Sequence, residues 1–241
     1  MAIAALIVLA LIAGAAWHGK ARAPTRPLLL FTSLPIYWPE VPDIATALKD
    51  EEQPHWARRA LEAQRALRPV DTLDAATLGR ARDLLMIQPR PLSPAENVAL
   101  DAWVAQGGHL LLFADPALSL DTTFALGDRR RPQDIVLLSP ILARWGLRLE
   151  FDAEQAGGEH AAALGEGVAV AVNLPGRFAE APGGRQDAAC RIEAEALLAD
   201  CRIGRGRVLA IADAALFEPV DDPAAEAVRR TALEALLARA F

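Results

Sequence analysis

The sequence predicts a three-layer α/β sandwich with a mostly parallel, Rossmann- or flavodoxin-like sheet. Three observations carry that reading. Residues 82–116 run strand, capped helix, Gly-Gly turn, strand. Short apolar runs elsewhere have the continuous character of strands buried on both faces. A Gly-Arg-Gly turn at 204–206 joins two further apolar runs, which reads as a hairpin. A C-terminal amphipathic helix follows it.

The 82–116 unit is the best specified. Leu84, Leu85, Met86 and Ile87 form the first strand. Ser93, Pro94 and Glu96 make a capping box with proline at the first helical position. Ala95, Val98, Ala99, Ala102 and Trp103 follow helical spacing and predict one apolar face. Gly107 supplies the left-handed residue that stops the helix, and Leu110–Ala114 form the second strand. Strand, helix and strand make a right-handed crossover by default.

Around this unit, the pattern predicts strands at Leu28–Thr32, Pro69–Leu73, Leu147–Phe151 and Val168–Val172, with the hairpin at Leu197–Ile203 and Val208–Ala212. Helices are expected within Ile36–Asp50, over Pro54–Ala66 with Trp56, Ala60, Ala63 and Leu67 on one face, and over Ile135–Trp145. Asp222-Pro223 opens the last helix, with Val228, Thr231, Ala232, Ala235 and Leu236 inward. Leu118–Asp134 is a long loop, and Ala153–Gly167 and Pro175–Arg185 are too rich in Gly, Ala and Pro to predict regular structure.

Composition narrows the function classes. The chain has 241 residues, 53 % of them apolar, and a net charge of −6. That is enough for one sizeable domain, and no basic stripe interleaved with aromatics marks a nucleic-acid binder. Arg129-Arg130-Arg131 is the one dense basic run and reads as a solvated loop. Met1–Trp17 carries no charged side chain, and residues 1–19 predict an N-terminal membrane anchor, a single transmembrane helix. Residues 20–27 are then a linker and 28–241 the α/β domain. Lys20, Arg22 and Arg26 would hold the linker side in the cytoplasm, whereas the cysteines point outside. Cys190 and Cys201 flank a segment that turns near Ala194–Ala196, which would set them opposite each other. They form either a cross-strand disulfide of an oxidising compartment or two buried thiols.

Ser33, Asp115 and Asp213 each follow a predicted strand. In open α/β sheets ligands bind outside the carboxyl ends of strands, so these three are candidates for a crevice taking a small polar ligand or glycan. Asp115 and Asp213 equally suit turn capping. Glu218, Asp221 and Asp222 lie close behind Asp213, but hard cations need six or more oxygens and Asp222 is explained as a helix cap. No metal and no cofactor is predicted. There is no G-x-S-x-G elbow for a serine hydrolase and no P-loop.

The strings LLMIQPRPLSPAENVALDAWVAQGGHLLLFADP, ILARWGLRLE and GRGRVLAIADAALF together resemble the auxiliary domain of GldG-type ABC transporter systems, in the class I glutamine amidotransferase-like superfamily. The resemblance spans roughly Leu28 to Phe241. It implies partnership with permease and ATPase subunits at a bacterial inner membrane; a disulfide between the cysteines would put the soluble domain on the periplasmic side, the basic linker on the cytoplasmic side. Amidotransferases place a nucleophilic Cys on an elbow after the strand matching His109–Ala114, and here that place reads Asp115-Pro116. The resemblance therefore implies a non-catalytic accessory or binding domain. The alternative is a hydrolase-like enzyme with a displaced site near Ser33, Asp115 and Asp213. The family's further membrane helix after the soluble region is not matched here, so a truncated relative is expected.

Overall fold

The computed structural model describes residues 27–40, 53–165 and 167–241. The expected anchor, nearly all of the linker and most of the expected Ile36–Asp50 helix lie outside these residues. Among the described residues no helix is long and apolar enough to cross a membrane.

The central sheet has seven strands in the order β2-β1-β3-β4-β11-β10-β9. They are β1 (Pro27–Thr32), β2 (Ala66–Pro69), β3 (Asp83–Ile87), β4 (His109–Phe113), β9 (Ala188–Glu193), β10 (Leu198–Ile203) and β11 (Gly206–Ile211). The first five in spatial order are mutually parallel, and β10 runs antiparallel to both β11 and β9. The parallel part is a doubly wound 2-1-3-4-5 arrangement. All five residues of β3 are buried, as the apolar run requires of a strand covered on both faces.

The helices are α1 (Trp56–Gln64), α2 (Ala75–Leu78), α3 (Pro94–Ala105), α4 (Ser139–Arg144) and α5 (Pro223–Ala240). Helix α1 packs on α5, while α2 packs on α3 and α3 on α4, which gives the two outer layers. The capping box of α3 is formed in full, with the Ser93 hydroxyl accepting from Glu96 N at 3.2 Å and Glu96 Oε2 accepting from Ser93 N at 2.9 Å. Gly107 follows at φ 111°. A side chain at Gly206 would meet the Val104 carbonyl oxygen 2.0 Å from its Cβ, so only glycine lets the end of α3 approach the start of β11.

Several elements differ from expectation. Helix α3 turns Leu100 and Val104 inward, with Val98 71 % exposed and Ala95 and Ala102 also exposed. Its apolar residues surround most of the helix, and the larger Leu and Val bury more area than the alanines on the expected face. Helix α5 buries Arg229, Ala232, Leu233, Leu236, Leu237 and Ala240 and exposes Val228, a face rotated from the expected one. In α1 the buried residues are Trp56, Ala57, Ala60 and Leu61, while Ala63 is exposed and Leu67 lies in β2. That strand begins earlier than expected and ends at Pro69. Helix α4 starts only at Ser139, because Pro140 lacks an N–H and fits only the first turn.

Two segments expected to be irregular each supply a strand that pairs with an expected one. β6 (His160–Gly165) pairs antiparallel with β7 (Val168–Val172), and β8 (Arg177–Glu180) with β5 (Leu147–Glu150). β6 is mostly exposed and built from alanines, so neither propensity nor alternation marks it.

Cys190 and Cys201 are directly opposite in the β9–β10 register and are joined by a disulfide across an eleven-residue separation. The turn at Ala194–Ala196 holds three consecutive residues in the left-handed region, at φ 52°, 53° and 74°. Closing a loop of that size removes about 2–3 kcal/mol of unfolded-state entropy. Replacing both cysteines by alanine should therefore lower stability by that amount in denaturant unfolding, and mild reduction of the native chain should match it.

Candidate functional site at the carboxyl edge

From β1 the chain crosses to β2 on one side and returns to β3 on the other. The carboxyl ends of β1 and β3 are therefore the switch point of this sheet, where open α/β folds receive ligands. Ser33 and Gln88 are the first residues beyond these two strands.

The Ser33 hydroxyl donates to Gln88 O at 2.5 Å and accepts from Gln133 N at 3.1 Å. Gln88 is fully buried and has φ 42°, a conformation a residue with a Cβ seldom adopts. Its Nε2 donates to Asp115 O at 3.0 Å and Gln133 O at 2.7 Å, and its Oε1 accepts from Asp115 N at 2.9 Å. The strained backbone is held by these four hydrogen bonds to three segments, the pattern found where a site is over-determined by its surroundings.

Asp115 and Asp213 follow the adjacent strands β4 and β11 and are 0 % and 2 % exposed. Asp115 Oδ1 accepts from Ala117 N at 2.7 Å and Oδ2 from Ala214 N at 3.1 Å. Asp213 Oδ1 accepts from Ala215 N at 2.7 Å and Oδ2 from Asn173 N at 3.0 Å. Each carboxylate thus caps its own turn and ties down a second loop. Burial pushes the Asp115 carboxyl up to about 6. Burial, reinforced by the Asp115 charge, pushes Asp213 up to about 8. Two such carboxyls cannot both ionise freely, so the pair retains a proton near neutral pH.

Glu218 extends the cluster. It accepts from the Ser119 hydroxyl at 2.5 Å, which in turn accepts from Asn173 Nδ2 at 2.8 Å, and burial raises its carboxyl above the usual range. Arg229 of α5 closes the same loop. It is 5 % exposed, its Nη1 donates to the carbonyls of Ala215, Leu216 and Glu218 at 2.7, 3.1 and 2.9 Å, and its Nη2 meets Glu159 Oε2 at 2.5 Å.

Two adjoining cavities of about 310 and 240 Å³ open at the switch point and share Thr32, Ser33, Val70, Asp71 and Arg130. Tyr37, Trp38 and Phe124 add aromatic surface. Trp38 is 70 % exposed, and guanidinium groups lie over Tyr37 (Arg58, 4.2 Å) and Phe124 (Arg130, 4.1 Å). Glu40 binds the rim together by accepting from Thr122 Oγ1 at 2.5 Å and Thr123 N at 3.0 Å. An indole face beside hydroxyl, carboxylate and guanidinium groups suits a small polar ligand with one apolar side.

The three residues singled out from sequence are therefore arranged in layers. Ser33 lines both cavities, Gln88 joins it to Asp115, and Asp115 and Asp213 lie beneath, lining neither. Sequence reasoning missed Gln88, Asn173 and Arg229. Gln88 left one signal, a polar residue ending an unbroken apolar run just before a proline. Arg229 left another, a basic residue in helical register with Leu233 and Leu236. Among the described residues no three His, Cys, Asp or Glu side chains are grouped to hold a metal ion.

A search of the curated proteins returns no match. Solved structures of similar shape include an exo-β-1,4-mannosidase from an Opitutaceae bacterium at 13 % identity, covering 95 % of this chain and 36 % of that one with a TM-score of 0.47. A cytoplasmic protein from Salmonella typhimurium aligns at 10 % identity over 89 % of this chain and 99 % of its own, with a TM-score of 0.48. A ThuA-like protein from Bacteroides uniformis aligns at 13 % identity over 92 % of both chains, with a TM-score of 0.42. This chain spans about a third of the mannosidase, and likenesses at these scores carry no functional argument. Residues 45–168, just over half of the chain, match the model of the family described as "ABC-type uncharacterized transport system", and the chain belongs to that family.

Proposed function

We propose that this protein is a membrane-anchored, non-catalytic binding subunit of an ABC-type transport system, with its α/β domain on the periplasmic side of a bacterial inner membrane. The observation that carries the non-catalytic reading is the occupation of Asp115. It stands where an amidotransferase-like relative would hold its nucleophile, and both of its carboxylate oxygens accept loop N–H groups. Family membership supports the transport role, the Cys190–Cys201 disulfide supports an oxidising compartment, and the uncharged run Met1–Trp17 supports the anchor. Ser33, Asp71, Trp38 and Arg130 around the switch-point cavities would receive the small polar ligand or glycan.

The test is affinity purification of the tagged full chain from detergent-solubilised membranes of its native host. A permease and a P-loop ATPase are expected to co-purify, and the chain is expected to stay in the membrane pellet after alkaline washing. Recovery of the chain alone from the soluble fraction would reject the reading.

A further inference from the structure

The edge of the sheet opposite the crevice collects arginines. β1, β3, β4 and β11 all begin there, with Leu28, Asp83, His109 and Arg207 in register. Several of these guanidinium groups have structural duties. Arg65 pairs with Asp83. Arg82 Nε donates to Gly107 O at 3.0 Å, just past the end of α3. Arg207 grips Asp200 at 3.0 and 2.6 Å and donates to Arg239 O at the end of α5.

Arg80, Arg202 and Arg205 are different. They are exposed and form no ion pair among the described residues. Arg202 and Arg205 line a cavity of about 670 Å³ together with Arg191, Arg207 and a single acid, Asp200. Asp200 is already shared among Arg191, Arg207 and Arg239. The cavity therefore has uncompensated positive charge, and guanidinium forks match phosphate oxygens bidentately.

What adjoins this edge decides the occupant. β1 starts at Pro27 on the same edge, and the residues before it include Lys20, Arg22 and Arg26, directly after the uncharged run Met1–Trp17. The sequence has no Asp or Glu before Glu40. Three exposed arginines of the folded edge thus share it with the start of β1, the strand that this basic sequence directly precedes. Exposed arginines on the edge where the chain leaves a basic, anchor-flanking sequence are what anionic lipid surfaces attract.

We propose that Arg80, Arg202 and Arg205 seat the domain on anionic phospholipid headgroups of the membrane that holds its N-terminal segment. The proposal rests on the membrane-anchored reading. Seating this edge on the bilayer turns the opposite edge, with the Ser33 crevice, away from it by about one strand length, roughly 17–20 Å. The crevice then faces the aqueous compartment, where a subunit waiting for a polar ligand must face.

The test is arginine-specific labelling with phenylglyoxal, mapped by mass spectrometry, on the full chain in nanodiscs of phosphatidylcholine alone or with added phosphatidylglycerol. Labelling of Arg80, Arg202 and Arg205 is expected to slow about fivefold in the anionic discs and to recover in high salt, while Arg129 at the opposite edge is unaffected. Equal rates in the two discs would overturn the proposal. Failure of the chain to enter either disc would overturn the anchor reading instead. Phosphatidylglycerol vesicles added to the free chain would then decide the edge: salt-sensitive protection of the same three arginines keeps it, and no protection overturns it.

Discussion

Replacing Arg229 by methionine is expected to cost about 3–5 kcal/mol of stability, or about 10 °C in Tm for a domain of this size. The guanidinium donates to the carbonyls of Ala215, Leu216 and Glu218 together. Methionine fills the volume of the stem but removes the donor from the Leu216 and Glu218 carbonyls, at about 1–3 kcal/mol each when no water replaces it, while Ala215 O keeps the Glu218 N–H at 3.0 Å. The pairing with Glu159 is a minor part of the effect, because Glu159 is 46 % exposed. Glu159→Gln should therefore cost under about 1 kcal/mol. Thermal unfolding of the two variants separates the contributions. A loss confined to Glu159→Gln would show that the ion pair, and not the carbonyl clamp, holds the loop after Asp213.

The second large effect is a fall in stability as pH rises through neutrality. Asp115 and Asp213 have folded values of about 6 and about 8 against an ordinary 3.8. A carboxyl raised in the folded state binds protons there that the unfolded chain has released. Its contribution is complete below about pH 4 and is lost as pH rises through the folded value. His55 acts in the opposite direction. Burial lowers it from 6.5 to about 4, so between those values it adds stability as pH rises. The two effects oppose each other up to about pH 6.5, and above it Asp213 dominates. Stability should then fall by up to about 1.4 kcal/mol per pH unit between pH 6.5 and 8. Asp213→Asn carries no charge, so it should flatten this slope. It should be less stable than the native chain near pH 6, because one N–H from Ala215 or Asn173 loses its acceptor. It should approach or exceed the native chain above pH 8. Denaturant midpoints across this range give the answer directly.

The parallel sheet was legible because its strands are uninterrupted apolar runs and because one crossover carries a complete set of stop and start signals at Ser93, Glu96 and Gly107. That Cys190 and Cys201 stand opposite each other was legible from the spacing of a short turn, whereas the choice between a disulfide and two thiols was not. The inward faces of α3 and α5 were not, since apolar residues such as Val98 and Val228 satisfy helical spacing on the wrong side and only packing area separates the choices. β6 and β8 were hidden by alanine and glycine. At the carboxyl edge, sequence placed Ser33, Asp115 and Asp213 near one another but could not give their depth. Depth depends on loops far away in the chain, since Asn173, Gln133 and Ala214 supply the N–H groups that fill the site from below. The same dependence made Gln88 invisible as the residue that connects them.

These contacts make the two aspartates loop staples beneath the switch-point cavities, and they define a catalytic test. The measurement is the initial rate of glutamine and nitrophenyl-ester hydrolysis by the full chain and by Asp115→Asn, with Tm recorded for both. The expected result is no turnover above background in either protein and a lowered Tm in the variant. Turnover by the native chain that disappears in Asp115→Asn at unchanged Tm would contradict the account.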